Sequence, residues 1–444
     1  MVEPNAIAAE PTLARRLGLF DATMIVMGGI IGAGIFVNPS VVARQVHTPA
    51  LVLGAWVIGG VIALIGAFVY AELAARRPNV GGQYAYLRDA YHPIVAFLYG
   101  WTLLLVVQTG GMAGAAIVFG RYFRELTGLG IPEQVVAAVT LALLTIVNCL
   151  GVRAGSNLQN ALMVTKLAAI GMLIAVGLFV ATSAPTLAVS AAVHPPTNAM
   201  IGLAAAMVPV LFAYGGWQTA SFVSGEMREP KRDLPRGLLI GVIGVIALYL
   251  TVTWVCIHVL GVDALAATTT PASQVMRSAL GERGARLIAL GIAISTVGFL
   301  SQSILTAPRV YYAMARDGVF FRAVGKLDPR SRAPVTAIVL QGVWAAIIAM
   351  TGKYDQILNY VVSIDVLFFG LTGASLIVFR RREPLEPGAA RVPLHPLTTI
   401  LFVAACWAIS ITTIVQVPQN AGIGVGILLL GVFVFQFWNK RPID

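Results

Sequence analysis

The fold class that the sequence predicts is an all-α polytopic membrane protein, and three observations predict it. Of 444 residues, 58% are apolar and 11% charged, and the mean hydropathy is +0.84. A soluble domain carries about a quarter charged residues, so too few ionic side chains remain to cover this chain in water. The apolar residues fall in continuous runs long enough to cross about 30 Å of hydrocarbon, which takes about 20 residues. They lack the alternation over about ten residues that marks a membrane barrel. The basic residues are segregated between alternate loops. A cytosolic enzyme, a nucleic-acid-binding domain and a secreted disulfide scaffold are excluded together. Cys149, Cys256 and Cys406 lie in separate apolar runs, so neither a metal set nor a disulfide framework is expected. The first 17 residues are polar, with no small-residue cleavage site behind the first apolar run, so no cleavable signal peptide is expected.

Twelve spans are expected, at about 18–45, 50–76, 82–120, 132–150, 157–183, 199–225, 237–261, 285–312, 333–351, 356–380, 395–416 and 420–438. With the amino terminus inside, 22 of the 30 Lys and Arg fall on inner segments and 7 on outer ones, with Lys166 left inside a span. The inner clusters include Arg76–Arg77, Lys231–Arg232 and Arg380–Arg381–Arg382. Positive charge favours the cytoplasmic side, so both termini are expected there, in a cell (inner) membrane. The net charge of +11 then reflects topology and not a nucleic-acid partner.

Two glycine clusters stand apart from the rest. The first span holds Gly28-Gly29-Ile30-Ile31-Gly32-Ala33-Gly34-Ile35-Phe36, and the sixth holds Phe212-Ala213-Tyr214-Gly215-Gly216-Trp217. Each sits midway along its span. Paired interruptions at matching places in two halves are the mark of an inverted-repeat transporter. Spans one to five would then match spans six to ten, with two spans outside the repeat. The expected division is an amino-terminal segment (1–17), a first repeat (18–195), a second repeat (196–382) and a tail containing the last two spans (383–444).

Unwinding a helix in mid-membrane frees backbone groups that need partners. The amino end of the resumed half-helix offers N–H donors and positive potential. Gly32, Ala33 and Gly34 are the expected donors to a carboxylate. The carbonyls near Ile30 and those of Phe212, Ala213 and Tyr214 are the expected acceptors from an ammonium. A donor nest beside an acceptor nest matches an α-amino acid.

These residues also resemble a known family. GGIIGAGIF, GGQYAYLRDAY, and FAYGGW followed by GEMREPKRDLPRGL look like the amino acid–polyamine–organocation (APC) superfamily, closest to bacterial relatives of the L-type amino acid transporters. YYAMARDG and FFGLTG extend the resemblance over residues of about 18 to 382. It implies a leucine-transporter-type 5+5 inverted repeat with helices 1 and 6 broken, and amino acid transport by alternating access. It further implies that Gly32, Ala33 and Gly34 receive the substrate carboxylate, Ala33 through its backbone alone. Ile30 would line the pocket, Phe212 would close over the substrate, and Gly215 would limit its size. Lys166 matches the lysine that bridges the first and eighth spans where sodium-coupled relatives hold sodium.

Depth singles out two ionisable residues. Lys166 stands nine residues past Asn157, roughly 13 Å into the membrane at about 1.5 Å per residue, where a charge marks a function. A fixed cation there would repel sodium, so sodium coupling is disfavoured. Asp365 is similarly deep in span ten, with three roles open: holding a coupling proton, recognising a cationic substrate, or forming a buried structural pair. Glu72 and Glu226 stand near span ends beside arginines and read as ion pairs of a gate or loop. Asp21 opens the first span, where a carboxylate favours a helix start. Tyr84, Tyr86, Gln108, Thr109, Trp217 and Gln218 are further candidates to line the pathway. The histidines lack clustered ligand spacing, and no phosphate-binding loop or catalytic constellation appears, so no cofactor is expected and the chain is not expected to be an enzyme.

The expectation is a secondary carrier of neutral L-amino acids, sodium-independent, working by exchange or proton symport. Its partners would be the amino acid, the lipid bilayer and, for symport, protons. A cationic amino acid or polyamine carrier is the alternative if Asp365 faces the pocket, followed by a transporter-like nutrient sensor. Any accessory subunit is left undetermined.

Overall fold

A computed structural model describes residues 17–77, 81–149, 156–180, 198–224, 227–328, 333–384 and 390–438, without the side chains of 156–161 and 437–438. Among these residues the chain is helical apart from turns and one parallel bridge, Leu17 to Met227. Among the described residues, nine helical segments are long and apolar enough to cross a membrane. Three shorter apolar helices, Leu19–Ile30, Glu133–Cys149 and Val335–Thr351, coincide with the three remaining expected spans. The first of these is short because its glycines interrupt it.

In chain order, α1 (Leu19–Ile30) stops at the first glycine cluster, and the chain resumes through a 3₁₀ turn (Gly34–Phe36) into α2 (Asn38–Val46). Asp21 caps α1, its Oδ2 accepting from the Gly18 N–H at 3.0 Å. Next come α3 (Pro49–Arg76), α4 (Gln83–Ala90) and α5 (Pro93–Thr102). A π-helical turn, Leu103–Val107, joins α5 to α6 (Gln108–Thr127), and the Thr109 hydroxyl donates to the Leu104 carbonyl within it at 2.8 Å. Then follow α7 (Glu133–Cys149), α8 (Ser156–Phe179) and α9 (Ala199–Tyr214). The second glycine cluster separates α9 from α10 (Thr219–Phe222). The remaining helices are α11 (Pro230–Ala267), α12 (Pro271–Thr306), α13 (Pro308–Arg316), α14 (Val335–Thr351), α15 (Tyr354–Arg382), α16 (Leu397–Gln416) and α17 (Pro418–Trp438).

Helix α11 packs along α3 and α1, α12 along α6 and α8, and α15 along α16 and α17. Lipid tails are as apolar as leucine, so helix association depends on close packing of small residues. Gly237 and Gly241 of α11 meet Ala22 and Val26 of α1, where a Cβ would approach to 2.8 and 2.7 Å.

The interrupted helices touch through glycine. A Cβ on Gly29 would stand 2.7 Å from the Gly216 carbonyl oxygen, and one on Gly216 would stand 2.1 Å from that of Gly29. Gly216 also has φ +109°, a conformation that side-chain-bearing residues avoid. These two glycines therefore set how closely the two breaks approach.

Candidate functional site

Between the breaks lies a cavity of about 90 Å³, lined among others by Ile30, Gly32, Ala33, Gly34, Phe212, Ala213, Gly215 and Asp365. One water needs roughly 10–15 Å³, so a guest of several heavy atoms fits. Gln108, Gln218, Thr219, Gln302, Ser303 and Thr306 add polar groups to walls that include Phe299, Phe369 and valines.

The backbone inside the breaks is only partly satisfied. The Gly32 N–H donates to the Ile30 carbonyl at 2.8 Å, so the expected Gly32 donor and Ile30 acceptor are bonded to each other. That corrects the three-donor nest to two: among the described residues, the N–H groups of Ala33 and Gly34 have no acceptor. At the other break, the Gly215 N–H donates to Leu211 and the Gly216 N–H to Gln218 Oε1 at 3.0 Å. The Phe212 carbonyl, which would accept from Gly216 in an unbroken helix, has no donor among the described residues. Among the described residues, the Ala33 and Gly34 N–H groups of one break and the Phe212 and Tyr214 carbonyls of the other are thus without hydrogen-bond partners where two broken helices meet.

The Tyr214 carbonyl, one of the expected acceptors, has no donor among the described residues, whereas its side chain turns away from the cavity. Its ring packs edge-on against Trp56 at 5.6 Å, its hydroxyl donates to the Trp56 carbonyl at 3.2 Å, and it is not among the cavity-lining residues. The last turn of α9 is still helical, so Phe212 and Tyr214 point to different sides. The Ala213 carbonyl is also taken, by the Tyr249 hydroxyl at 3.2 Å, which reaches the Ile30 carbonyl at 3.0 Å as well. Tyr249 links both breaks and was missed in the sequence. Its signal was a tyrosine halfway along a span, away from the interfaces where tyrosine concentrates.

Asn38 was missed too. Its Nδ2 donates to the Pro209 carbonyl at 2.7 Å and its Oδ1 accepts from the Tyr354 hydroxyl at 3.0 Å. The Tyr354 ring stands edge-on to Phe212 at 6.3 Å. Tyr354 and Phe212 both line the cavity, and Asn38 holds Tyr354 from behind.

Lys166 is 3% exposed, and its ammonium donates to the Ile31 carbonyl, one of the groups freed by the first break. The neighbouring link from α12 to α1 is made by Gln302, whose Nε2 donates to the Ile25 carbonyl at 3.1 Å. Asp365 faces the cavity, and no hydrogen bond or ion pair to it occurs among the described residues. Among the described residues, no partner for a structural pair with Asp365 is present.

At the opposite end of the bundle, Glu72 is fully buried. It binds Arg380 at 2.6 Å, Arg76 at 3.0 Å and the Val392 N–H at 2.8 Å. Arg77 instead pairs with Glu383, whose carboxyl it holds below the usual range through that hydrogen bond. Tyr84 and Arg88 both donate to Asp317, at 2.8 and 2.7 Å. Of the other pathway candidates, Gln108 and Gln218 line the cavity. The Tyr86 ring meets Tyr70 edge-on, and Trp217 packs against Phe369 at 4.7 Å. Glu226 lies outside the described residues.

Residues 17–435 match the family described as amino acid permease. The chain is 28% identical over 437 residues to the serine/threonine exchanger SteT of Bacillus subtilis (strain 168), covering 97% of this chain and 98% of that protein. It is 30% identical over 452 residues to the human large neutral amino acids transporter small subunit 2, covering 97% and 82%. With the human b(0,+)-type amino acid transporter 1 the identity is 31% over 403 residues, covering 88% and 82%.

Proposed function

The chain belongs to the amino acid permease family, and from that premise we propose that the cavity between its two broken helices is the amino acid site of a neutral amino acid carrier. One observation supports this most: the unpaired Ala33 and Gly34 N–H groups and the unpaired Phe212 carbonyl come from two interrupted helices that meet at one cavity. A carboxylate suits the first and an ammonium the second. Relatives named for serine/threonine exchange and for large neutral amino acids favour neutral substrates and exchange.

The proposed architecture has twelve spans, counting the three shorter helices, with residues 18–195 and 196–382 as inverted repeats. In a cell (inner) membrane with cytoplasmic termini, the Asn38–Tyr354 contact faces outward and the Glu72 cluster inward. Lys166 holds the Ile31 carbonyl where a sodium ion would otherwise be required, so transport proceeds without sodium, by exchange or with a proton.

The test is uptake of a labelled neutral amino acid into proteoliposomes. We expect uptake unchanged when sodium is replaced by choline, and stimulated by unlabelled neutral amino acid inside. Sodium-driven uptake, or none under sodium gradient, pH gradient or counterflow, would overturn this reading.

Gly215 offers a second measurement. A Cβ there would lie 3.2 Å from the Leu211 oxygen and 3.9 Å from Asp365 Oδ2, so it narrows the cavity. Gly215→Ala should shift the competition profile toward smaller side chains. A methylene in a hydrophobic pocket is worth about 1–3 kcal/mol, so a shift of roughly tenfold or more is expected. An unchanged profile removes Gly215 from the wall.

A further inference from the structure

Resting on the reading of this cavity as the amino acid site, we propose that its exit toward the Glu72 end of the bundle runs through a buried aromatic floor. The polar edges of that floor find their partners, water and the departing zwitterion, when the floor parts. The floor begins at the cavity wall. Phe369 lines the cavity, and Trp217, between the lining residues Gly216 and Gln218, packs against it at 4.7 Å. The Tyr70 ring stands edge-on to Phe369 at 6.1 Å, to Trp217 at 6.3 Å and to Tyr86 at 6.4 Å. Beside them the Tyr99 ring meets Phe368 edge-on at 5.5 Å, and Tyr99 is near enough to Tyr311 of α13 to interact with it. Helix α13 leads to Asp317, which is held by Tyr84 and by the partly exposed Arg88. Buried rings thus connect the cavity with the surface.

Along this column, buried polar atoms stand without a protein partner among the described residues. They include the hydroxyls of Tyr99 and Tyr311, the indole N–H of Trp217 and both ends of the Gln83 amide. Gln83 opens α4, and packing around the column is tight. A Cβ on Gly82 would stand 2.1 Å from the Ser221 hydroxyl of α10, and one on Gly100, next to Tyr99, 1.9 Å from the Met314 sulfur of α13. Beyond the cavity the buried phenols differ: Tyr354 donates to Asn38 at 3.0 Å and Tyr122 to the Phe36 carbonyl at 2.9 Å. Buried polar groups are nearly always paired, and leaving one unpaired is costly. Their concentration in one column marks a surface whose hydrogen bonds are completed in another arrangement. Parting the rings wets these groups, which offsets part of the cost of separating the apolar faces. The hydroxyls and the amide both donate and accept, so they suit either end of a passing zwitterion.

Tyr99→Phe and Tyr311→Phe keep the rings and remove only the hydroxyls. Each variant and the double variant are compared with wild type for thermal midpoint in detergent, equilibrium binding of a neutral amino acid, and counterflow turnover. Deleting an unpaired hydroxyl stabilises the closed floor, so the midpoints should stay at or above that of wild type and the affinity should change little. Opening becomes harder by the same interaction. Turnover should fall roughly fivefold for each variant, the lower end of what an unpaired buried group is worth in an equilibrium, and further in the double variant. Tyr122→Phe, which loses a bonded hydroxyl, should lower the midpoint and calibrates the measurement. Midpoints that fall in Tyr99→Phe and Tyr311→Phe as they do in Tyr122→Phe show hydroxyls already paired by resident water, and overturn the proposal. So does unchanged or faster turnover in the double variant, which routes the substrate elsewhere while leaving the cavity reading intact. Wild type that binds no amino acid overturns the cavity reading, and the floor as its exit with it.

Discussion

Gly34→Val is expected to reduce amino acid binding by at least about 100-fold while the protein still inserts and elutes as a single species. Even a Cβ at Gly34 would stand 3.2 Å from both Cα and Cβ of Ala213 and 3.3 Å from Asn38 Nδ2. Valine adds two further carbons on a stiff branch, so one break must retreat from the other. The Gly34 N–H then leaves its place beside that of Ala33. A hydrogen bond to a charged group is worth about 1.5–3 kcal/mol, and every 1.4 kcal/mol is about tenfold in affinity. Displacing both donors gives the expected loss. Binding to purified protein, with helical content checked by circular dichroism, is the measurement. Wild-type affinity in Gly34→Val would dismiss the first break as the carboxylate site.

Lys166→Ala should lower turnover about 10- to 100-fold and weaken substrate binding less. Without the ammonium, the Ile31 carbonyl loses its donor in the membrane interior. A buried carbonyl left unpaired costs about 1–3 kcal/mol, which destabilises the arrangement in which α8 holds the first break. The Ala33 and Gly34 donors are on the other side of that carbonyl in sequence and remain available. Lys166→Met, which keeps most of the side-chain length, distinguishes loss of the bond from loss of packing. Equal turnover in wild type and both variants, measured by single-substrate counterflow, would show that the lysine has no part in the cycle.

How much was legible in the sequence depended on whether the deciding contact was local. The α-helical membrane class and the two interruptions could be read because composition and glycine clustering are properties of the chain itself. Lys166 could be singled out by its depth. Which groups the breaks leave unpaired could not, because the Gly32–Ile30 turn and the Tyr249 hydroxyl act through geometry that no spacing encodes. Tyr214 shared a motif with Phe212, yet one turn of surviving helix sent it toward Trp56. Glu72 was placed beside Arg76 and Arg77 by sequence proximity. Its 2.6 Å partner, Arg380, is more than three hundred residues away. The glycines at 29 and 216 looked like helix breakers, whereas their larger role is to let two backbones meet.

The Tyr249 hydroxyl has a consequence for motion. It reaches the Ile30 carbonyl at 3.0 Å and the Ala213 carbonyl at 3.2 Å, but it has a single hydrogen to give. While the two backbones are close, that hydrogen is divided between them and neither bond is at full strength. If the backbones part, one carbonyl gains what the other loses. Separation in which the hydroxyl stays with one carbonyl is then expected to cost less than the rupture of a full hydrogen bond. For a carrier that must pass back and forth many times, a shared hydrogen of this kind would keep the parting of the two breaks shallow.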